Sequence, residues 1–140
     1  MIFPFHRAVR GIQGIDIAVS TSEDQCLSAY RGSRIGREQW KWTVKKPSRM
    51  YSPAHCVPVY GSGRIFVAVP DRKIYAIDAA TGKCLFNVDG GRDALCGSED
   101  GKTVFSKVMF GKAYAFRSDV PAPADGGEIS SGNKLWEVTD

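Results

Sequence analysis

Apolar residues in this chain of 140 residues recur at every second position or in runs of five or six, and the runs are bounded by Gly, Pro or Asp. The clearest are Arg64-Ile-Phe-Val-Ala-Val69, Lys73-Ile-Tyr-Ala-Ile-Asp78, Thr103-Val-Phe-Ser-Lys-Val108 and Lys112-Ala-Tyr-Ala-Phe-Arg117. A period of two, or a short apolar run closed by turn residues, belongs to strands with one or both faces buried. Val, Ile, Phe and Tyr fill the runs, and these residues fit a pleated, half-buried surface. Helical spacing is nowhere sustained, and no capping box leads into a long apolar stripe. The pattern predicts an all-β chain with almost no helix.

Three segments carry the same landmarks in the same order. The middle one runs Ser52-Pro53, Val57-Pro58-Val59 and Gly61-Ser62-Gly63, then the strand from Arg64 and a break at Pro70-Asp71-Arg72. It ends with the strand from Lys73 and the closing Ala79-Ala-Thr-Gly-Lys-Cys-Leu-Phe86. The third starts at Ala94, has Gly101 before its second strand and a break at Met109-Phe110-Gly111, and closes with Gly132-Asn-Lys-Leu-Trp136. In the first, more diverged, Ile15-Asp-Ile-Ala-Val19 is set against Ile65-Phe-Val-Ala-Val69, followed by Cys26-Leu-Ser-Ala-Tyr30 and Gly36-Arg-Glu-Gln-Trp40. Anchored on Ala29, Ala76 and Ala115, the periods are 47 and 39 residues. The differences fall in a long first hairpin (20–25) and in an insert from Ser118 to Ser131, whose centre, Asp119 to Glu128, is rich in Pro and Gly. That centre is expected to be a mobile surface excursion, since proline denies a ladder its donors.

A four-stranded sheet of this size cannot bury both faces alone, and stacking against like sheets is the usual solution. The expected fold is an all-β partial β-propeller of about three four-stranded antiparallel blades, at 8–44, 52–88 and 94–138. Two outer flanks are then left open. The chain is accordingly expected to be a fragment of a longer propeller and, alone, to aggregate or self-associate.

The segment Ala76-Ile-Asp78-Ala-Ala-Thr81-Gly82-Lys-Cys-Leu-Phe86 has a physical logic of its own. Asp78 and Thr81 can accept backbone N–H bonds in a tight turn, Gly82 can take positive φ, and Phe86 offers a large apolar area to the next blade. Trp40 and Trp136 hold the place of Phe86 in the other repeats, each four residues after a glycine. Ala76, Asp78, Thr81, Gly82, Phe86, Trp40 and Trp136 therefore read as a structural docking motif, with its three aromatics expected to be equally buried. The segment resembles the docking motif A-x-D-x-x-T-G-x-x-x-W of pyrroloquinoline-quinone-like (PQQ-like) β-propeller repeats in the quinoprotein alcohol dehydrogenase-like superfamily, with Phe86 in place of the last Trp. The resemblance favours a bacterial protein in the periplasm or otherwise outside the cytoplasm, although Met1 to Arg10 shows no signal-peptide pattern. Ser98-Glu-Asp-Gly-Lys-Thr-Val-Phe105, with Lys107 and Met109, is similar to propellers fused to bacterial calcineurin-like phosphoesterases. The metal-binding residues of such an enzyme have no counterpart in this sequence. The tryptophan–aspartate propeller repeat has a similar period, but its G-H and W-D signatures are absent.

Candidate chemistry changes this picture little. A quinone site would need a calcium-binding Glu, Asn and Asp set, an aromatic floor and commonly an adjacent cysteine pair. Cys26, Cys56, Cys84 and Cys96 are well separated and read as buried free thiols, with a disulfide left open for an oxidising compartment. Glu99-Asp100 reads as a solvated turn, and His6 and His55 as structural or surface residues. No catalytic, cofactor-binding or metal-ligating residue is assigned. The net charge of +4 is scattered apart from Lys45, Lys46 and Arg49, which is not the dense basic face of a nucleic-acid binder. No run of eighteen apolar residues offers a membrane span. The functional expectation is a noncatalytic binding or scaffolding module for protein partners or for the remaining blades. The alternative is an enzyme fragment, from a PQQ-dependent dehydrogenase or the accessory propeller of a metallophosphoesterase.

Overall fold

The computed structural model describes residues 6–12, 17–22, 26–31, 38–43, 58–69, 73–89, 94–108, 111–127 and 134–139. Among these residues there is no helix. The strands are β1 (His6–Ile12), β2 (Ile17–Ser22), β3 (Cys26–Arg31), β4 (Glu38–Thr43), β5 (Val59–Gly61), β6 (Arg64–Val69), β7 (Lys73–Asp78), β8 (Cys84–Asp89), β9 (Ala94–Gly97), β10 (Thr103–Val108), β11 (Lys112–Arg117) and β12 (Lys134–Thr139). They form three four-stranded sheets, each ordered as in the sequence: β1 to β4, β5 to β8 and β9 to β12. Neighbouring strands are antiparallel throughout. Each sheet is thus one blade. The first strands of blades 2 and 3 lie against each other.

The blades share one register. Ala29 lies between Val19 and Trp40, Ala76 between Phe66 and Phe86, and Ala115 between Phe105 and Trp136. The pairing of third and fourth strands shifts at the same place each time, between Ala29 and Tyr30, Ala76 and Ile77, and Ala115 and Phe116. A shared bulge makes the three repeats structural copies. The first repeat corrects the sequence alignment, however. Val19, not Ile15 or its neighbours, is the counterpart of the Ile65–Phe66 stretch, because β2 continues through Ser20, Thr21 and Ser22. Those polar residues look like a turn in sequence, yet Ser20 and Thr21 pair with Ser28 and Leu27.

Alternation along blade 2 divides its side chains between two cores. Ile65, Val67, Ile77 and Ala79 pack with Trp40 toward blade 1, joined by the partly buried Trp42, Tyr60, Tyr75 and Cys84. Phe66, Ala68, Ile74, Ala76, Phe86 and Val88 pack toward blade 3, against Val104, Tyr114, Phe116 and Val120. Phe66 is the hinge of the second core, edge-on to Phe86 at 6.3 Å and to Phe116 at 5.6 Å between ring centroids. Such aromatic pairs add to the stabilisation from burial alone.

Residues 119–127 lie mostly at the surface without strand pairing, as expected, but they are tied to blade 2 at two points. They form no strand, but Val120 is buried in the core between blades 2 and 3. Further on, the Asn87 amide of β8 donates to the Gly127 carbonyl at 3.2 Å. Blade 3 thereby lays a strap along blade 2, held by backbone polar groups rather than by ladder pairing. The expectation of buried thiols also needs correction: Cys84 is half-buried and Cys96 exposed. Cys26 lies within β3, while Cys56, His55, Lys45, Lys46 and Arg49 fall outside the described residues.

Replacing Phe66 with Ala removes the ring that touches both Phe86 and Phe116, so unfolding free energy is expected to fall by about 3–5 kcal/mol. Denaturant unfolding followed by circular dichroism measures this, and a loss below about 1 kcal/mol contradicts the packing described.

Candidate functional site at the blade joints

The motif residues come together in the turn between β7 and β8. One carboxylate oxygen of Asp78, Oδ1, accepts from the Ala80 amide at 3.0 Å, the Thr81 amide at 2.9 Å and Thr81 Oγ1 at 3.0 Å. The Gly82 amide closes back on the Asp78 carbonyl at 2.9 Å, and the Asp78 amide donates to the Lys83 carbonyl at 2.8 Å. This is the local competition for backbone donors that suits Asp and Thr to turns. Gly82 has φ of 75°, and a Cβ there would lie 2.6 Å from the Trp40 ring. Glycine is therefore required twice, by backbone conformation and by the indole lying against it.

Trp40 is the last-strand aromatic of blade 1, and it docks on blade 2. It is buried, and its Nε1–H donates to the Ala79 carbonyl at 3.0 Å. Beside it, Trp42 and Tyr75 meet with ring centroids 4.8 Å apart. The Asp78–Gly82 turn is thus a socket for the indole of the preceding blade, while Phe86, at the motif's end, belongs to the following joint.

At that joint the counterpart of Ala79 is Ser118. The Ala79 amide bonds the Gly63 carbonyl at 3.0 Å, and the Ser118 amide bonds the Lys102 carbonyl at 2.9 Å, at matching places in the two blades. Phe86 fills the aromatic position but has no N–H to give. Arg64 supplies it: its guanidinium lies 5.2 Å from the Phe86 centroid, and Nη1 donates to the Ser118 carbonyl at 2.8 Å and the Val120 carbonyl at 2.5 Å. Burial pulls the Arg64 guanidinium somewhat below its ordinary pKa, with Asp119 and Asp78 acting in the opposite direction. Stacking on the ring and a planar set of donors are properties of arginine that lysine lacks. Sequence reasoning missed Arg64, because its role depends on register across blades.

The rest of this joint is close-set. Ser118 Oγ donates to the Gly101 carbonyl at 2.6 Å, so the 2.6 Å contact with Ser62 Oγ has Ser62 as donor. Gly61 meets the Gly101 carbonyl so closely that an added Cβ would come within 2.2 Å of its oxygen. Arg117 stands where blade 2 has Asp78, and pairs with Asp119 at 2.7 Å in solvent.

Trp136 corrects the expectation of three equally buried aromatics. It keeps the register of Trp40 and Phe86, yet it is 44% exposed, its ring 6.3 Å from Phe105. Leu135 and Val138 on the same strand are 54% and 56% exposed. The reason is positional: blade 2 covers Trp40 and blade 3 covers Phe86, whereas nothing described covers the outward face of blade 3.

Glu99 is exposed, and Asp100 belongs to a turn in which it accepts from Ser98 Oγ at 2.6 Å and from the Lys102 amide at 3.0 Å. Those bonds hold the Asp100 carboxyl below the ordinary carboxylate range. Among the described residues no group of three His, Cys, Asp or Glu is arranged to hold a metal ion. No helix there is long and apolar enough to cross a membrane.

No family model matches the sequence, and no curated protein does. Solved structures do match. BamB from Moraxella catarrhalis superposes with a TM-score of 0.69 at 16% identity, over 94% of this chain and 36% of that one. U3-55K gives 0.70 at 12% identity, over 100% and 41%. The WD40 repeats of RRP9 give 0.70 at 12%, over 100% and 40%. The likeness shows a β-propeller fold, and the chain spans well under half the length of each matched structure. WD40 propellers match although the sequence lacks that repeat's signatures, so likeness at this level reflects blade geometry.

Trp40→Ala is expected to cost about 3–5 kcal/mol, and Trp136→Ala less than about 1 kcal/mol, since only the first empties a covered site. Equal losses in chemical denaturation contradict the asymmetry. Gly82→Ala is expected to cost more than about 2 kcal/mol, because positive φ and the Trp40 ring both oppose a Cβ.

Acid acts on the Asp100 turn in a defined direction. A carboxylate with a lowered folded-state pKa contributes stability above its unfolded pKa and loses it as pH falls through the folded value. The Lys102 amide resonance is expected to titrate with a midpoint below the aspartate reference of 3.8, and Asp100→Asn should abolish that titration. A midpoint at or above 3.8 contradicts the bonding described.

Proposed function

We propose that this chain is a noncatalytic, PQQ-like propeller segment that presents a rigid surface to protein partners. The observation that carries this reading is the use made of the motif. Asp78 Oδ1, Thr81 Oγ1, the amides of Ala80, Thr81 and Gly82 and the Trp40 N–H are engaged in shaping the turn or joining blades, so the conspicuous sequence chemistry builds a scaffold. A stack of blades whose turns are fixed by such bonds offers recognition loops on a rigid support, which is how loops commonly carry function. The PQQ-like assignment rests on the resemblance of Ala76 to Phe86 to the docking motif. The β-propeller fold of the matched structures supports it only at the level of architecture. An extracytoplasmic bacterial location is part of the same proposal.

Two experiments test the reading. Photo-cross-linkers placed at exposed Glu99 and Ala124, in cells of the native host, are expected to give a discrete protein adduct that unlabelled chain competes away. Absence of any competed adduct overturns the binding role. Titration with pyrroloquinoline quinone and calcium is expected to give no saturable change in tryptophan emission. Saturation at micromolar quinone favours the dehydrogenase alternative instead.

A further inference from the structure

A strand at the edge of a sheet invites pairing with another chain, and proteins blunt such edges with charge, with proline or by laying a loop over them. β4, β8 and β12 each form an edge of their sheet. Register sets Glu38, Cys84 and Lys134 at one equivalent position of these strands, opposite Tyr30, Ile77 and Phe116. It sets Lys41, Asn87 and Glu137 at another, opposite Ser28, Tyr75 and Tyr114. β4 and β12 thus carry a charged residue at both positions, and β8 at neither. From Cys84 to Val88 the chain has no charge and no proline, and Leu, Phe and Val dominate it. On an open edge such a run is a hazard for strand pairing between molecules.

It is along β8 that the strap lies. The outward-facing Asn87 amide donates to the Gly127 carbonyl, and a Cβ on Gly126 would stand 3.6 Å from the Cys84 carbonyl oxygen and 3.7 Å from that of Leu85. The two glycines offer the edge no donor in return. The Gly126 amide turns back to the Pro123 carbonyl at 3.1 Å and the Gly127 amide to Asp125 Oδ1 at 2.9 Å. Pro121 and Pro123 have no N–H at all. The strap's start is held separately, by Val120 in the core and by the Arg64 bonds to the Ser118 and Val120 carbonyls. We propose that residues 121–127 are an edge guard, which closes β8 against strand addition in place of the charges carried by β4 and β12. The strand it excludes is β8 of a second copy. Set antiparallel to itself about Asn87, β8 places Phe86 opposite Val88 with no like charges facing, whereas the same arrangement about Lys41 or Glu137 sets like charges face to face.

Two strap variants of the full chain test this. One deletes residues 121–127, keeping Val120 in the core, and residues 128–133 then join Val120 to β12 with a reach of up to about 20 Å. The other is Gly126→Val, which removes nothing but places a branched side chain at φ of 67° against the Cys84 and Leu85 carbonyls. In light scattering at equal concentration, each is expected to roughly double the average mass relative to the intact chain. Asn87→Glu beside Lys73 gives β8 the pair that Glu137 and Lys112 form in β12, and it is expected to return both variants to the mass of the intact chain. In these Asn87→Glu chains the amide of residue 87 is expected to exchange with solvent roughly tenfold faster once the strap is altered. Should the deletion leave the chain unfolded by circular dichroism, Gly126→Val decides alone. An unchanged mass with a freed residue 87 amide overturns the proposal, because the open edge then attracts nothing. So does association that Asn87→Glu leaves in place, which puts the contact elsewhere, or an amide whose exchange the strap variants do not alter.

Discussion

One buried carbonyl in blade 2 and one in blade 3 each take a donor from the blade before. Ala79 and Ser118 follow the third strands of blades 2 and 3, and both are essentially buried, at 2% and 0% exposure. A buried carbonyl without a partner costs about 1–3 kcal/mol, so the preceding blade must supply a donor beside its apolar contact. Blade 1 does this with one residue, the Trp40 indole. Blade 2 divides the task between the Phe86 ring and the Arg64 guanidinium stacked on it. The blade spacing, the turn glycine and the strap all follow from satisfying that carbonyl while closing the apolar cores on either side.

The same requirement explains which residues are exposed. Alternation gives blade 2 two apolar faces, and each is buried because a neighbouring blade supplies the other half of the joint. Phe86 and Trp136 occupy one register position, and their difference in burial, 0% against 44%, reflects their surroundings rather than their sequence. Cys96 is open for the same reason: it pairs with Phe105 on the row that ends at Trp136. Val59, its counterpart beside Phe66, is buried.

Much of the fold was legible because strand periodicity is local. The alternation of Lys73 to Asp78, the turn chemistry of Asp78 to Gly82 and the spacing of Gly82 to Phe86 each need fewer than a dozen residues of context. The first repeat was harder, since Ser20 to Ser22 have turn-like composition and only pairing with β3 makes them strand. The strap was misjudged because prolines deny ladder bonding but leave carbonyls free to accept, as the Val120 and Gly127 carbonyls do. Arg64 was invisible for another reason. It sits among apolar residues of β6 like any strand-end cation, and its partners lie 54 and 56 residues away.

The joint between blades 2 and 3 gives the most direct test that each blade must donate to its successor's turn carbonyl. Arg64→Met keeps an apolar cover on the Phe86 ring but removes the donor, and Phe86→Trp adds an indole N–H at the place of Trp40. Unfolding free energies of wild type, both single variants and the double variant form a thermodynamic cycle. The account predicts that Phe86→Trp recovers about 1 kcal/mol or more in the Arg64→Met background that it does not supply in wild type, because the indole then bonds the Ser118 carbonyl. Strictly additive effects would contradict it.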